Sequence, residues 1–326
     1  MNDMKRFLLT LTAVILGINA WALPANIEYE KVVAQDGSGD YTTITEAIYS
    51  RRHFSYDPIY ILVKKGTYRE KLEIPSWITG VVLIGEDRDE TIIVNGDHAG
   101  RETAFSEQTP MKKIMTFTSW TVKILGYRTQ LHNLTIINDA TERGQAVALH
   151  IEANEILVNN CILIGNQDTL YANGEQDETL MVDTYIEGTT DFLFGSAQLF
   201  LDNCHIHCKR NSYITAASTP PGREFGFAIF NTKITAEPEA DKMFLGRPWR
   251  NFAKTVFIDC EMGGFIRPEG WMNWGRPEAE ALVLYAEHNS KGVDVSQRVP
   301  WSRQLNSVEV DRYQAELKRM RTKYMD

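Results

Sequence analysis

Apolar and polar residues along this chain alternate with the period of two that marks strands. Examples are Leu157-Val158-Asn159-Asn160-Cys161-Ile162-Leu163-Ile164 and Leu199-Phe200-Leu201-Asp202-Asn203-Cys204-His205-Ile206-His207. The runs carry an Asn or Asp followed by a small, thiol or aliphatic residue: Asn133-Leu134, Asn160-Cys161, Asp183-Thr184, Asn203-Cys204, Asn231-Thr232 and Asp259-Cys260, at spacings of 27, 23, 20, 28 and 28 residues. A local pattern that holds while its spacing varies predicts an all-β coil whose strands stack and whose loops differ in length, a parallel β-helix. An antiparallel sandwich is the competing architecture, but hairpin dipeptides, here Asn95-Gly96 and Asn173-Gly174, are few.

Helical periodicity is confined to the two ends. Asp36-Gly37-Ser38-Gly39-Asp40 forms a turn cluster, after which Thr43 and Glu46 make a capping box that opens a short helix. Ile44 and Ile48 share one face of it, suited to plug the open end of the coil. Tyr313, Leu317, Met320 and Tyr324 recur at helical spacing, which predicts a helical tail packed on the outside of the coils.

No Pro/Gly/Ser-rich linker divides the chain, so one domain is expected over residues 23–326. Residues 1–22 read as a secretory signal: Lys5-Arg6, the apolar run Phe7 to Ile18, then Ala20-Trp21-Ala22. A bilayer span needs about 20 apolar residues, more than this run supplies. The mature chain is therefore expected in the periplasm or outside the cell, as a monomer with no membrane attachment. Its 32 basic and 42 acidic side chains give −10, which argues against nucleic acid as a partner.

The chemistry gathers around two aspartates. Asp168 and Asp191 lie 23 residues apart, close to the repeat itself, so they fall on neighbouring coils about 4.8 Å apart. Gln145 precedes Gln167 by 22 residues and Arg247 follows Asp191 by 56, two periods of 28. Two acids, two amides and a guanidinium thus converge from four distant segments. Adjacent carboxylates in unequal surroundings are the raw material of acid/base and nucleophilic catalysis. Taken singly, a buried Asp or Gln can merely cap a turn, and Arg247 can merely bind a backbone carbonyl.

Five segments in order, Gly66-Thr67-Tyr68-Arg69-Glu70, Gln145-Ala146-Val147-Ala148-Leu149, Gln167-Asp168-Thr169-Leu170, Asp191-Phe192-Leu193-Phe194-Gly195 and Leu245-Gly246-Arg247-Pro248-Trp249, resemble the pectin methylesterase (pectinesterase) family from about Val32 to Trp274. The resemblance implies a right-handed parallel β-helix that is secreted, uses no metal or organic cofactor, and hydrolyses the methyl esters of galacturonate units in pectin. It also implies roles: Asp191 as nucleophile, Asp168 as acid and then base, Gln145 and Gln167 as oxyanion donors, and Arg247 beside Asp191. A pectate lyase-like β-helix and a catalytically silent polysaccharide-binding β-helix are the alternatives. The first would use Ca²⁺ and basic residues, and the second would have lost an acid or an amide.

Tyr171, Phe194, Trp249, Trp271 and Trp274 can all be core, as aromatics usually are, but Trp249 and Phe194, and with them Tyr171 and Trp271, are candidates for stacking on sugar rings. The cluster Cys204-His205-Ile206-His207-Cys208 looks metal-binding, but alternate strand residues face opposite ways, so its four ligands cannot converge. Where bacterial members of the family have a cysteine in the strand before the nucleophile, this chain has Thr184. Cys161, Cys204, Cys208 and Cys260 are therefore expected to be free, buried thiols.

Overall fold

The computed structural model describes residues 27–55, 57–104, 112–141 and 143–325; the expected signal segment lies outside them. Three parallel sheets, of 11, 7 and 7 strands, wind around one apolar interior. A representative coil runs from Ile156–Asn159 in the long sheet, through Asn160, to Ile162–Ile164 in the second sheet and Leu170–Ala172 in the third. The next coil repeats the path in register, with Leu163 over Ile186, Ile206 and Ile234 in the interior. This is the expected right-handed parallel β-helix.

The corner between the long and second sheets explains the Asn/Asp signal of the sequence. Asn133, Asn160, Asp183, Asn203, Asn231 and Asp259 all have φ between 49° and 56°. That left-handed conformation costs most L-residues energy, and Asn and Asp tolerate it best because their short polar side chains bond locally. Here the side chains bond along the stack: Asn160 Nδ2 donates to Asn133 Oδ1 at 2.8 Å, and Asn289 Nδ2 to Asp259 Oδ1 at 2.6 Å. The residue after each corner turns inward, so Cys161, Thr184, Cys204, Thr232 and Cys260 succeed one another inside the coil. All four cysteines are free and buried. Cys204, Ile206 and Cys208 line the interior while His205 and His207 stand on the outer face, as strand alternation requires.

One helix closes an end of the coil and another lies along its side. Thr43 Oγ1 accepts the Glu46 amide at 3.2 Å, and the helix Ile44–Tyr49 (α1) buries Ile44, Ala47 and Ile48 in the core. Its free N–H groups at Ile44 and Thr45 are taken by the Glu70 carboxylate, both at 2.9 Å. The helix Ser307–Met325 (α2) seats Tyr313, Leu317 and Met320 on the outward face of the long sheet, against Leu180, Phe200, Phe230 and Val256. The long sheet is thus apolar on both faces, which is why its strands read as near-continuous hydrophobic runs.

Candidate active site

The site lies on the outer face of the third sheet, whose strands include Leu149–Ile151, Leu170–Ala172, Leu193–Gly195, Tyr213–Ala217 and, at the edge, Phe244–Gly246. The segments entering the first three carry Gln145, Gln167 with Asp168, and Asp191; Arg247 follows the last. Backbone bonds fix these segments one coil apart: Ala146 N–H to Gln167 O at 3.0 Å, Asp168 N–H to Thr190 O at 3.1 Å and Asp191 N–H to Tyr213 O at 2.8 Å. Asp168 (φ 67°) and Asp191 (φ 49°) both adopt the left-handed conformation. Gly195, at φ 126°, passes so close to the coil before it that a Cβ would lie 1.9 Å from Ala172 O; no larger residue fits this turn.

The two carboxyls are nearly sealed from water, 8% exposed at Asp168 and 5% at Asp191. Arg247 grips Asp191 in a fork, Nε to Oδ1 at 2.9 Å and Nη2 to Oδ2 at 2.6 Å. Burial pushes both acids above the usual carboxylate range. At Asp191 the fork from Arg247 pulls back against that rise. Asp168 is driven well up by burial and then by the charge of Asp191, with Arg247 opposing only through space. Arg247 thus favours the charged form at Asp191, through direct hydrogen bonds, more than at Asp168. Gln145 and Gln167 are half-buried beside them, and their amides make no hydrogen bond to a described residue.

Tyr171 and Phe194, 5% and 4% exposed, pack beneath the half-buried Trp249 in one aromatic cluster, with ring centroids 4.7 Å apart for Tyr171–Phe194 and 5.8 Å for Phe194–Trp249. Trp271 does not join it. It is 1% exposed, stacked on Tyr285 at 4.3 Å inside the coil, so it is a core residue and not a sugar-stacking one. Its neighbour Trp274 is the outward one, 3.7 Å from the Arg247 guanidinium carbon, and Tyr213 lies 3.9 Å away. Phe117 adds an exposed edge 5.0 Å from Tyr171. The sequence reading passed over Tyr213 and Phe117, which belong to none of the five segments.

This geometry carries two buried acids in unequal surroundings, a fixed cation and two side-chain amides with no partner among the described residues, a set suited to acyl transfer. A family profile described as Pectinesterase matches residues 30–317. The chain belongs to the pectinesterase family. It is accordingly a carboxylic ester hydrolase. Pectinesterase 31 of Arabidopsis thaliana is 34% identical over 281 residues, covering 84% of this chain and 86% of that protein. Probable pectinesterase/pectinesterase inhibitor 23 of the same plant is 32% identical over 85% of this chain, which spans only 50% of that longer protein. Among solved structures, pectin methylesterase from carrot superposes with a TM-score of 0.78 at 29% identity, covering 87% of this chain and 90% of that one. Pectin methylesterase PemA from Erwinia chrysanthemi gives 0.77 at 26% identity, covering 88% and 96%.

Proposed function

We propose that this pectinesterase hydrolyses the methyl esters of galacturonate units in homogalacturonan, releasing methanol and pectate through an acyl-enzyme on Asp191. The observation that carries the reading is the Asp168/Asp191 pair, split in proton affinity by the Arg247 fork. A carboxylate oxygen of Asp191 attacks the ester carbon, and the carbonyl π electrons move to oxygen, where the Gln145 and Gln167 amides donate to the oxyanion. As the oxyanion collapses, the carbon–methoxy bond breaks and Asp168 gives its proton to the departing methoxide. An anhydride between substrate and Asp191 remains. Asp168, now a carboxylate, takes a proton from water; the hydroxide adds to the substrate acyl carbon and expels the Asp191 carboxylate. The cycle returns both aspartates to their starting states and needs no other reactant.

Trp249, half-buried over the buried rings of Phe194 and Tyr171, offers the face on which a sugar ring would stack, and a similar structure was solved as a pectin methylesterase in complex with a hexasaccharide. The reading includes export of a monomer by the signal at residues 1–22. The test is methanol release from highly methyl-esterified pectin in the presence of chelator. Methanol without unsaturated sugar is the expected result; unsaturated product that disappears with chelator would instead make the chain a lyase. Asp191→Ala should leave less than about a hundredth of the turnover, and more than that would remove Asp191 from the nucleophile's role.

A further inference from the structure

Arg247 is held by more than Asp191. Its guanidinium carbon lies 3.9 Å from the Tyr213 ring centroid and 3.7 Å from that of Trp274, so both aromatic residues pack against it at contact distance. The contacts continue outward at both ends. Tyr213 stacks on Phe244 at 5.3 Å with 12° between the planes, and Arg267 lies 4.9 Å from the Phe244 ring; beyond Trp274, Arg276 lies 5.7 Å from its ring. A row of contacts, Arg267–Phe244–Tyr213–Arg247–Trp274–Arg276, thus runs through the cation that forks onto Asp191. Tyr213 also accepts the Asp191 amide through its own carbonyl, at 2.8 Å, and so holds both members of the ion pair.

The segment that delivers Trp274 is built for the purpose. Trp271 anchors it inside the coil, and Trp274 itself stands at φ 60°, a left-handed conformation that is unfavourable for a bulky residue. Arg276 closes the segment by donating from Nη2 to the Trp249 carbonyl at 3.1 Å and to the Pro248 carbonyl. A strained tryptophan held over a catalytic ion pair between two fixed points reads as a device rather than as packing.

We infer that Tyr213 and Trp274 are positioning residues that hold the Arg247 guanidinium edge-on to Asp191. A guanidinium is planar by itself, and rings packed against it restrict how that plane is oriented, which is what a two-point grip on a carboxylate requires. Confinement matters for a polyuronate substrate, because every hydrolysed ester leaves a free carboxylate able to draw an unconfined arginine away from Asp191. This inference rests on the proposed ester hydrolysis, and its test separates the two.

The experiment compares wild type with Trp274→Ala, Trp274→Phe, Tyr213→Ala and Tyr213→Phe for methanol release against pH, with polygalacturonate as added inhibitor. The alanine variants should lose kcat by about 10- to 100-fold with KM within about threefold. Their acid limb should move up by about half a pH unit or more, since Asp191 loses the partner that favours its charge. Polygalacturonate should inhibit them more strongly, and the phenylalanine variants should recover most of the loss. A KM effect alone would make the rings substrate contacts, and an unmoved acid limb would make them mere packing; either overturns the inference. If wild type released no methanol, the proposed function would fail instead. A crystal structure of Trp274→Ala then decides the geometry: Arg247 turned from Asp191 supports the inference, and an intact fork overturns it. Trp274 sits in a surface segment anchored by Trp271, so its replacement leaves the coil interior intact; it is the variant that decides should Tyr213→Ala fail to fold.

Discussion

Asp168 and Asp191 are chemically identical, and only their neighbours divide the work between them. Arg247 forks onto Asp191, while Asp168 meets burial and the charge of Asp191. On the proposed mechanism turnover needs Asp191 deprotonated and Asp168 protonated, so kcat against pH should be bell-shaped, with the acid limb reporting ionisation of the pair's first proton and the alkaline limb its second. Asp168→Asn should abolish the alkaline limb together with activity; a limb that survived in residual turnover would belong to another group. The same buried acid should weigh on the fold. Its folded pKa is raised, so it binds its proton more tightly folded than unfolded, and stability falls as pH rises from its unfolded value of about 3.9 toward the folded one. Asp168→Asn should therefore melt a few degrees higher than wild type at neutral pH, with the gain shrinking toward pH 3. Equal melting temperatures at pH 7 would mean that the site does not strain the fold. Gln145→Ala and Gln167→Ala should each lower kcat by ~10²–10³ with little change in KM, whereas a pure KM effect would make them substrate-binding groups.

At the scale of elements, the corner between sheets sets where each coil turns. Asn203, at φ 55°, donates to Asp183 Oδ1 at 2.5 Å. Asn203→Ala loses that bond and must hold a left-handed backbone, for about 1–2 kcal/mol; Asn203→Gly loses only the bond and should cost about half as much or less. Urea midpoints for the two variants test this, and equal losses would show that backbone conformation is not what selects Asn. These corners made the fold legible, because a polar residue of one type recurring before an inward side chain is a period that survives variable loops. The same period places Asp168, Asp191, Gln145, Gln167 and Arg247 on stacked coils from the sequence alone. It could not sort Trp271 from Trp274. Within Gly270-Trp271-Met272-Asn273-Trp274 the direction of each ring depends on the turn at φ 60°, which no alternation pattern encodes. Tyr213 was hidden for another reason: it packs against Arg247, 34 residues away in sequence and adjacent only after one coil has closed.

Across the whole molecule, the interior column Cys161, Thr184, Cys204, Thr232, Cys260 records how the coils stack. Cys161 N–H lies 3.4 Å from Thr184 Oγ1 and Cys204 N–H 3.3 Å from Thr232 Oγ1, so each thiol has a threonine, not another thiol, as its next neighbour. Burial pushes the thiols of Cys161, Cys204 and Cys260 up to about 12, and that of Cys208 upward as well. Thiolate is the reactive form, so the native protein should resist thiol reagents at pH 8 and yield four thiols per chain once denatured without reductant. Replacing Thr184 with cysteine inserts a thiol between two others on adjacent coils. Neighbouring strands are about 4.8 Å apart, inside the ~4.4–6.8 Å that a disulfide spans between Cα atoms, whereas Cys161 and Cys204, two coils apart, are beyond it. Oxidised Thr184→Cys should therefore hold one disulfide, with Cys161 or Cys204, and titrate three free thiols in place of five. Closing a loop of about 20 residues should raise stability by about 3 kcal/mol on the chain-entropy account. Five free thiols after oxidation, or fewer than four in the wild-type chain, would mean that the coil register from Cys161 to Cys260 is wrong.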